Sequence, residues 1–439
     1  MGSVKKTVHV HQCFNAVGHG TFFNGLALDE RHKDAFSWIY DCGSKRTTRI
    51  EQEVTNLERW GNWPEEVDLL VLSHFDDDHV NGVERLLRSR RVRALALPYM
   101  DVGHSLACAA SVSGDPCSAS TAAFQLDPVA WLQSRGLAGQ VDTVLLVQGG
   151  PRGDDDPPVD AGAVPLPGGP DDNQRPRNDR PDTDRTTALR LASAPIGTGT
   201  TTAPRIVLWR HAASAVAHGI PLELMFFNAT QPDLFRKNGS GGLLARRSRQ
   251  STLVVQADVE VVARRYGLYD LSRSLGRGWR DALRAVYVKH FGDSSQQRNN
   301  ISLCLLVRPL GVDVERCTIF RRREVYCSTR RRRVPLVGKA GMLLLGDLRI
   351  DSATLAEMQA HFGPARWVDI GTVQVPHHGS RHSWEPGSAA VLGPDRFIHF
   401  VPDASSHHPH RSVNDDLSAT AVFRANYRAG VAIDYHFMV

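Results

Sequence analysis

The chain has 439 residues, more than one simple core needs, so one large core with a substantial insertion, or two domains, is expected. Its 41% hydrophobic and 23% charged residues fit a soluble globular protein, and apolar runs such as 69–72 and 342–345 are strand-sized, far short of the roughly 20 residues of a membrane span. The net charge of +5 is too mild to define a partner by itself. Residues 1–10 carry two lysines with no apolar run behind them, so no signal peptide is read and a cytoplasmic location is expected. Seven cysteines without a C-x-x-C pair argue against both a disulfide framework and a cysteine zinc site.

In chain order, residues 8–17 read as a strand ending in the turn Gly18-His19-Gly20. A short strand over 36–40 stops at Asp41-Cys42-Gly43, and 50–60 has helical spacing through Val54, Leu57 and Trp60. Residues 67–72 are apolar except for Asp68, the pattern of a strand covered on both faces. They lead into His74-Phe75-Asp76-Asp77-Asp78-His79, after which 80–87 begins a helix. From about 149 to 199 the chain is dense in Pro, Gly, Asp, Arg and Thr, a composition that buries little apolar surface and predicts a flexible linker. Strand-like or folded pieces surround it at 128–137, 141–147, 204–216 and 222–228. Residues 260–290 are expected to be mainly helical. The last region returns to strands at 301–307, 342–345, 373–375 and 397–401. The expected organisation is therefore a core half over 1–100, an insertion or lid over 101–290, and a second core half over 291–439.

Three segments carry metal-binding chemistry. His74-x-Asp76-x-Asp78-His79 sets four ligand-type side chains on a loop after a buried strand, where alternate residues can converge on a divalent ion. Gly346-Asp347 follows the apolar run 342–345 and can present one carboxylate between two ions. Val375-Pro376-His377-His378-Gly379-Ser380 again follows a strand. Adjacent histidines on an extended chain point apart, so one is expected to bind metal and the other to support it or meet substrate. Separately, Arg321-Arg322-Arg323 and Arg330 to Arg333 place seven arginines in 13 residues. They read either as a solvated basic hairpin or as a phosphate-contacting edge.

In this order the segments resemble the metallo-β-lactamase superfamily, and within it the hydrolase domain of ComEC-like DNA-uptake proteins. The superfamily's usual first motif is H-x-H-x-D-H, whereas that branch has H-x-D-x-D-H, as here. Val17-Gly18-His19-Gly20 resembles its V-G-x-G turn, with histidine at a position commonly glutamine, and Tyr40-Asp41-Cys42-Gly43 resembles its I-D-x-G. Asn299-Asn300-Ile301-Ser302-Leu303 resembles its N-N-x-S-L, and His377-His378-Gly379-Ser380 its H-H-G-S. Gly346-Asp347 resembles its G-D, and His408-Pro409 its late H-P. The likeness covers roughly 10–100 and 295–412.

The resemblance implies an α/β fold, specifically an αββα sandwich, with two divalent metals, Zn²⁺ or Mn²⁺, at one edge of its sheets. His74 and Asp76 would hold the first ion, Asp78 and His79 the second, with Asp347 bridging. His378, or else His377, would complete the second site. Asp41 would orient a ligand histidine, and Asn300, Ser302, Ser380 and His408 would meet substrate. Asp78 and His408 would take catalytic parts, His408 as general acid or phosphate contact. The expected activity is hydrolysis of DNA or another phosphodiester by a metal-bound hydroxide. The alternatives are a small-molecule hydrolase (lactone, β-lactam or cyclic nucleotide) and a partner-binding component of a multiprotein bacterial system such as anti-phage defence, with the partner bound through 101–290.

Overall fold

In the computed structural model the strand Leu303–Pro309, apolar but for Arg308, shows why some segments read as nearly unbroken hydrophobic runs. Leu303, Leu305 and Val307 belong to one buried cluster, while Cys304 and Leu306 belong to a second. The neighbouring strand Gly341–Leu344 divides in the same way, with Met342 and Leu344 on one side and Leu343 on the other. Successive side chains of a strand point to opposite faces, so this sheet is covered on both. One face meets a second sheet. The other meets the helices Ser352–Val368, Ser388–Leu392 and Arg411–Leu417. The structure describes residues 7–29, 34–111, 117–150, 156–159, 161–167, 203–229, 236–237, 243–244, 249–272, 275–291, 302–310, 314–322, 334–336 and 339–438.

Among these, ten strands form the first sheet, in the order Val334–Leu336, Val314–Arg322, Gly430–Met438, Thr7–Phe14, Phe22–Asp29, Ala35–Cys42, Glu66–Val71, Arg91–Pro98, Val141–Gln148 and Arg205–Arg210. Eight form the second: Ala421–Ala425, Arg396–Phe400, Ile370–Gln374, Gly341–Leu344, Leu303–Pro309, Leu222–Asn228, Ala215–Val216 and Val164–Pro165. The chain is an α/β sandwich. Pairing is parallel from Ala35–Cys42 to Arg205–Arg210 in the first sheet and from Gly341–Leu344 to Ala421–Ala425 in the second. Those runs determine where the polar loops emerge.

Part of the segment read as an insertion is built into both sheets. Val141–Gln148 and Arg205–Arg210 extend the first, and Leu222–Asn228 pairs with Leu303–Pro309 in the second. Val164–Pro165, inside the stretch expected to be flexible, is an edge strand, and most of the remainder of 149–199 lies outside the described residues. The helices Val102–Ala109, Ala119–Leu126 and Pro128–Ser134 start at side-chain caps from Asp101, Ser118 and Asp127, the last with Pro128 in its first turn. The span expected to be mainly helical over 260–290 holds parts of two helices, Arg249–Tyr266 and Trp279–Phe291, and Leu271 between them is exposed. The helix Ser352–Val368 escapes the sequence reading because Gly363-Pro364 interrupts it, Gly363 taking φ +77°.

One buried charge cluster ties the second sheet to its helical layer. Glu223 accepts from Arg308 Nε at 2.6 Å and from Arg366 Nη2 at 2.7 Å. Burial alone would raise the Glu223 carboxyl, but the two guanidinium groups hold it below the usual glutamate range. A lowered carboxylate pKa stabilises the fold above the unfolded-state value, and this contribution is lost as pH falls through the folded value. We expect Glu223→Gln to leave the buried Arg366 without its carboxylate, Arg308 retaining Asp369, and to cost about 3 kcal/mol, read as a lower Tm. The wild-type advantage over the variant should shrink as the solution is acidified below the ordinary glutamate pKa.

Candidate metal centre

Five polar segments emerge at or just beyond the C-terminal ends of parallel strands, where α/β proteins place their ligands. From the first sheet come Asp41, at the end of Ala35–Cys42, and the loop after Glu66–Val71 that carries His74, Asp76, Asp78 and His79. From the second come Asp347 after Gly341–Leu344, His377 and His378 after Ile370–Gln374, and the loop with His408 after Arg396–Phe400. Residues more than 300 positions apart therefore meet at one sheet edge.

Two groups of ligand atoms converge there: His74, His79 and Asp347, and Asp78, His79 and His378. His79 Nε2 lies 3.3 Å from Asp347 Oδ1, and His74 Nε2 lies 3.6 Å from Asp347 Oδ2. His378 Nε2 is 3.3 Å from Asp78 Oδ2, His74 Nε2 is 3.5 Å from Asp76 Oδ2, and His377 Nε2 is 3.7 Å from Asp347 Oδ2. Most of these separations are long for direct hydrogen bonds. They suit ligands of a shared ion, because two donors each about 2.1 Å from one tetrahedral ion lie roughly 3.4 Å apart. His74 Nε2, His79 Nε2 and Asp347 Oδ1 are all buried with no hydrogen-bond partner among the described residues.

The far sides of two imidazoles determine what faces inward. His79 donates Nδ1–H to Asp41 Oδ2 at 2.8 Å, and His378 donates Nδ1–H to the Phe400 carbonyl at 2.8 Å. Each then turns its Nε2 toward a carboxylate, an arrangement that needs a positive charge between them, supplied by a proton or a metal ion. The electrostatics agree. Burial alone would raise the Asp347 carboxyl, but His79, His377 and His74 hold it well below the usual range. Burial would lower His79, yet Asp347 and Asp41 push it well above its ordinary value. The residues present fit a divalent metal ion.

The supporting backbone is strained where the ligands leave it. Asp41, His377 and His378 have φ of +54°, +46° and +54°, the left-handed region that non-glycine residues seldom occupy. The tight turn at His377-His378 aims one ring at Asp347 and the other at Asp78, whereas an extended chain would part them. Asp41 is held by Ser73, whose N–H and hydroxyl donate to its two oxygens, each at 2.7 Å. Gly43 approaches the ligand loop so closely that a Cβ there would lie 2.5 Å from both the Asp78 carbonyl oxygen and the His79 nitrogen. A Cβ on Gly346 would lie 2.3 Å from Ser302 Oγ.

Several expected residues take other places. Ser302, read as a substrate contact, is 1% exposed, and its hydroxyl is engaged inside the protein, accepting from Asp347 N–H at 3.0 Å and donating to the Leu345 carbonyl at 3.0 Å. It positions Asp347. Ser380 is buried and its hydroxyl accepts from His382 N–H. Asn300 lies outside the described residues, as do Asn299 and Ile301. Asp76 belongs to neither converging group, its carboxylate pairs among the described residues with His74, and its side chain is 43% exposed. Asp77 turns away and receives the N–H of Ser118 and the hydroxyl of Thr121, tying the loop to the helix Ala119–Leu126. His408 is half-buried, its ring centroid 6.3 Å from that of His377 and 6.4 Å from that of His378.

Sequence reasoning passed over Ser73 and Gln374. Ser73 directly precedes His74, which was the available signal. The Gln374 side-chain Oε1 accepts from Leu345 N–H at 3.2 Å at the end of a wholly buried strand, where nothing in the pattern marks it.

Fold and site together define an α/β sandwich with a buried imidazole–carboxylate centre suited to divalent metal. No family model and no curated protein sequence matches the chain. Among solved structures it is similar to the crystal structure of unliganded yeast PDE1, at 8% identity and a TM-score of 0.36, over 97% of this chain and 99% of that one. So distant a likeness assigns neither family nor activity.

Loading with Zn²⁺ or Mn²⁺ is expected to raise Tm, since an ion at about 100 times its Kd adds roughly 2.7 kcal/mol; Asp347→Asn should abolish that rise. Asp41→Asn, which removes an acceptor behind His79, should weaken metal binding about 10–100-fold, measured by titration calorimetry with circular dichroism to verify folding.

Proposed function

We propose that the chain is a metal-dependent phosphodiesterase acting on nucleic acid or another phosphodiester. The observation that carries this reading is the convergence of His74, His79 and Asp347 with Asp78 and His378 at one sheet edge, with buried nitrogen and oxygen atoms left unbonded within the described chain. His74, Asp76 and Asp347 would hold one ion and Asp78 and His378 a neighbouring one, with His79 Nε2 serving one of the two, since a single imidazole nitrogen serves only one ion. When bound, such ions acidify a water and draw charge from a phosphoryl oxygen.

The chain's own side chains supply orientation. Asp41 and the Phe400 carbonyl hold the His79 and His378 rings from behind, and Ser302 and Gln374 hold the backbone that presents Asp347. His408 stands on the open side. Burial, with His378 and His377 beside it, pushes its imidazole down to about 4. Near neutral pH the ring is therefore uncharged, which suits a hydrogen bond to a phosphoryl oxygen better than the general-acid part read from the sequence. The arginine-rich stretch is a further candidate for phosphate contact. Arg321 and Arg322 end the strand Val314–Arg322, and Arg323 and Arg330 to Arg333 lie outside the described residues.

The direct test incubates the full-length protein with plasmid DNA, linear DNA and bis(p-nitrophenyl) phosphate in Mn²⁺ or Zn²⁺, with metal content measured by mass spectrometry. We expect turnover of a phosphodiester and a loss on the order of 10³-fold, about 4 kcal/mol, in Asp78→Ala and in His79→Ala. Metal-loaded protein that hydrolyses lactones or β-lactams but no phosphodiester would overturn the proposal.

A further inference from the structure

On the Asp78–His378 side of the centre, polar groups are arranged outward by exposure. Asp78 and His378 are largely buried, with side chains 14% and 4% exposed. Next come His19 and His408, both half-buried. The His19 ring meets His378 edge-on with centroids 4.5 Å apart, and meets His408 with centroids 5.4 Å apart. His19 Nε2 and His408 Nδ1 are buried atoms without a hydrogen-bond partner among the described residues. Outermost is Lys45, exposed, with its backbone N–H bonded to the His19 carbonyl at 2.8 Å.

Lys45 differs from the other cations around it. Arg46 is laid over the Tyr427 ring at 4.1 Å, and Arg49 donates to Gln52. Lys45 has no carboxylate within 4.0 Å among the described residues. Lys45 is therefore an exposed cation without a carboxylate partner among the described residues, on a turn bonded to His19 and one step outward from a metal-type centre. The ions of the centre would neutralise the scissile phosphoryl group. Lys45 lies further toward solvent, where a chain-like substrate continues past the point of cleavage.

We propose that Lys45, with His19 and His408, forms a subsite for the phosphate next to the scissile one, selecting substrates with at least two linked phosphates over single phosphodiesters. The proposal rests on the phosphodiesterase reading. In chemical terms the preferred substrate is a strand of phosphodiester-linked units, with the imidazoles of His19 and His408 beside the lysine charge.

The test compares wild type, Lys45→Ala and Arg59→Ala, full-length and metal-loaded. Arg59 is an exposed cation at the far end of the helix Thr47–Glu58, which begins two residues after Lys45. The substrates are bis(p-nitrophenyl) phosphate, with one phosphate, and a short oligothymidylate. Lys45→Ala should lower the ratio of kcat/KM for the oligonucleotide to that for the small ester by about tenfold, mainly through KM. It should also reduce the slope of log affinity against log salt by about 0.7, the share of one single-strand phosphate contact. Arg59→Ala should change neither quantity. An unchanged ratio in Lys45→Ala, or an equal fall for both substrates, overturns the subsite while leaving the phosphodiesterase reading standing. If wild type hydrolyses neither substrate, that reading fails. Oligothymidylate binding by fluorescence anisotropy then decides the subsite separately: weaker binding by Lys45→Ala supports it, and equal binding overturns it.

Discussion

The site depends on one electrostatic constraint: the Asp347 carboxylate is buried among imidazoles and cannot remain there without positive charge. His79 and His74 each face it at 3.3 and 3.6 Å, distances that leave an opening between donor atoms. Taking an ionised carboxylate out of water costs several kcal/mol unless it is paired. The fold meets that cost by orienting every surrounding ring so that its basic nitrogen faces inward. Asp41 does this for His79 and the Phe400 carbonyl for His378.

That orientation depends on unusual backbone. Left-handed conformations at Asp41, His377 and His378 are costly for residues with a Cβ, on the order of 1 kcal/mol or more each. They persist because neighbouring elements over-determine them. Ser73 holds both oxygens of Asp41. The His377 N–H bonds to the Gly346 carbonyl, and the His410 N–H bonds to the Gly379 carbonyl just past His378. The glycines of the opening turns have a related purpose. Gly20 and Gly43 let two loops of the first sheet close on the Asp78–His79 backbone, a contact with no space for a side chain.

The middle of the chain is more than a decoration on this core. Leu222–Asn228 lies between Leu303–Pro309 and Ala215–Val216 in the second sheet, and Glu223 on it binds Arg308 and Arg366. The helix Ala119–Leu126 receives Asp77 from the ligand loop itself. A shift of that helix would therefore act directly on the segment that carries Asp76, Asp78 and His79.

The amino-acid sequence by itself marked the doubly covered strands and the metal-type segments that follow them, while the sandwich was implied by the resemblance of its motifs to a known family. Doubly covered strands must be apolar at nearly every position, and metal-type residues must follow them closely, so both signals are local and survive in the linear order. The strands Phe22–Asp29, Arg91–Pro98, Ala421–Ala425 and Gly430–Met438 went unread, and Gly363-Pro364 hid a helix by breaking its pattern. Only the tertiary structure decided which side chains share a centre. His79 standing in both converging groups, Ser302 engaged behind Asp347 rather than toward substrate, and His19 packed against His378 and His408 all arise from contacts between segments far apart in the chain. Such contacts depend on register and on backbone turns, and no spacing along one chain encodes them.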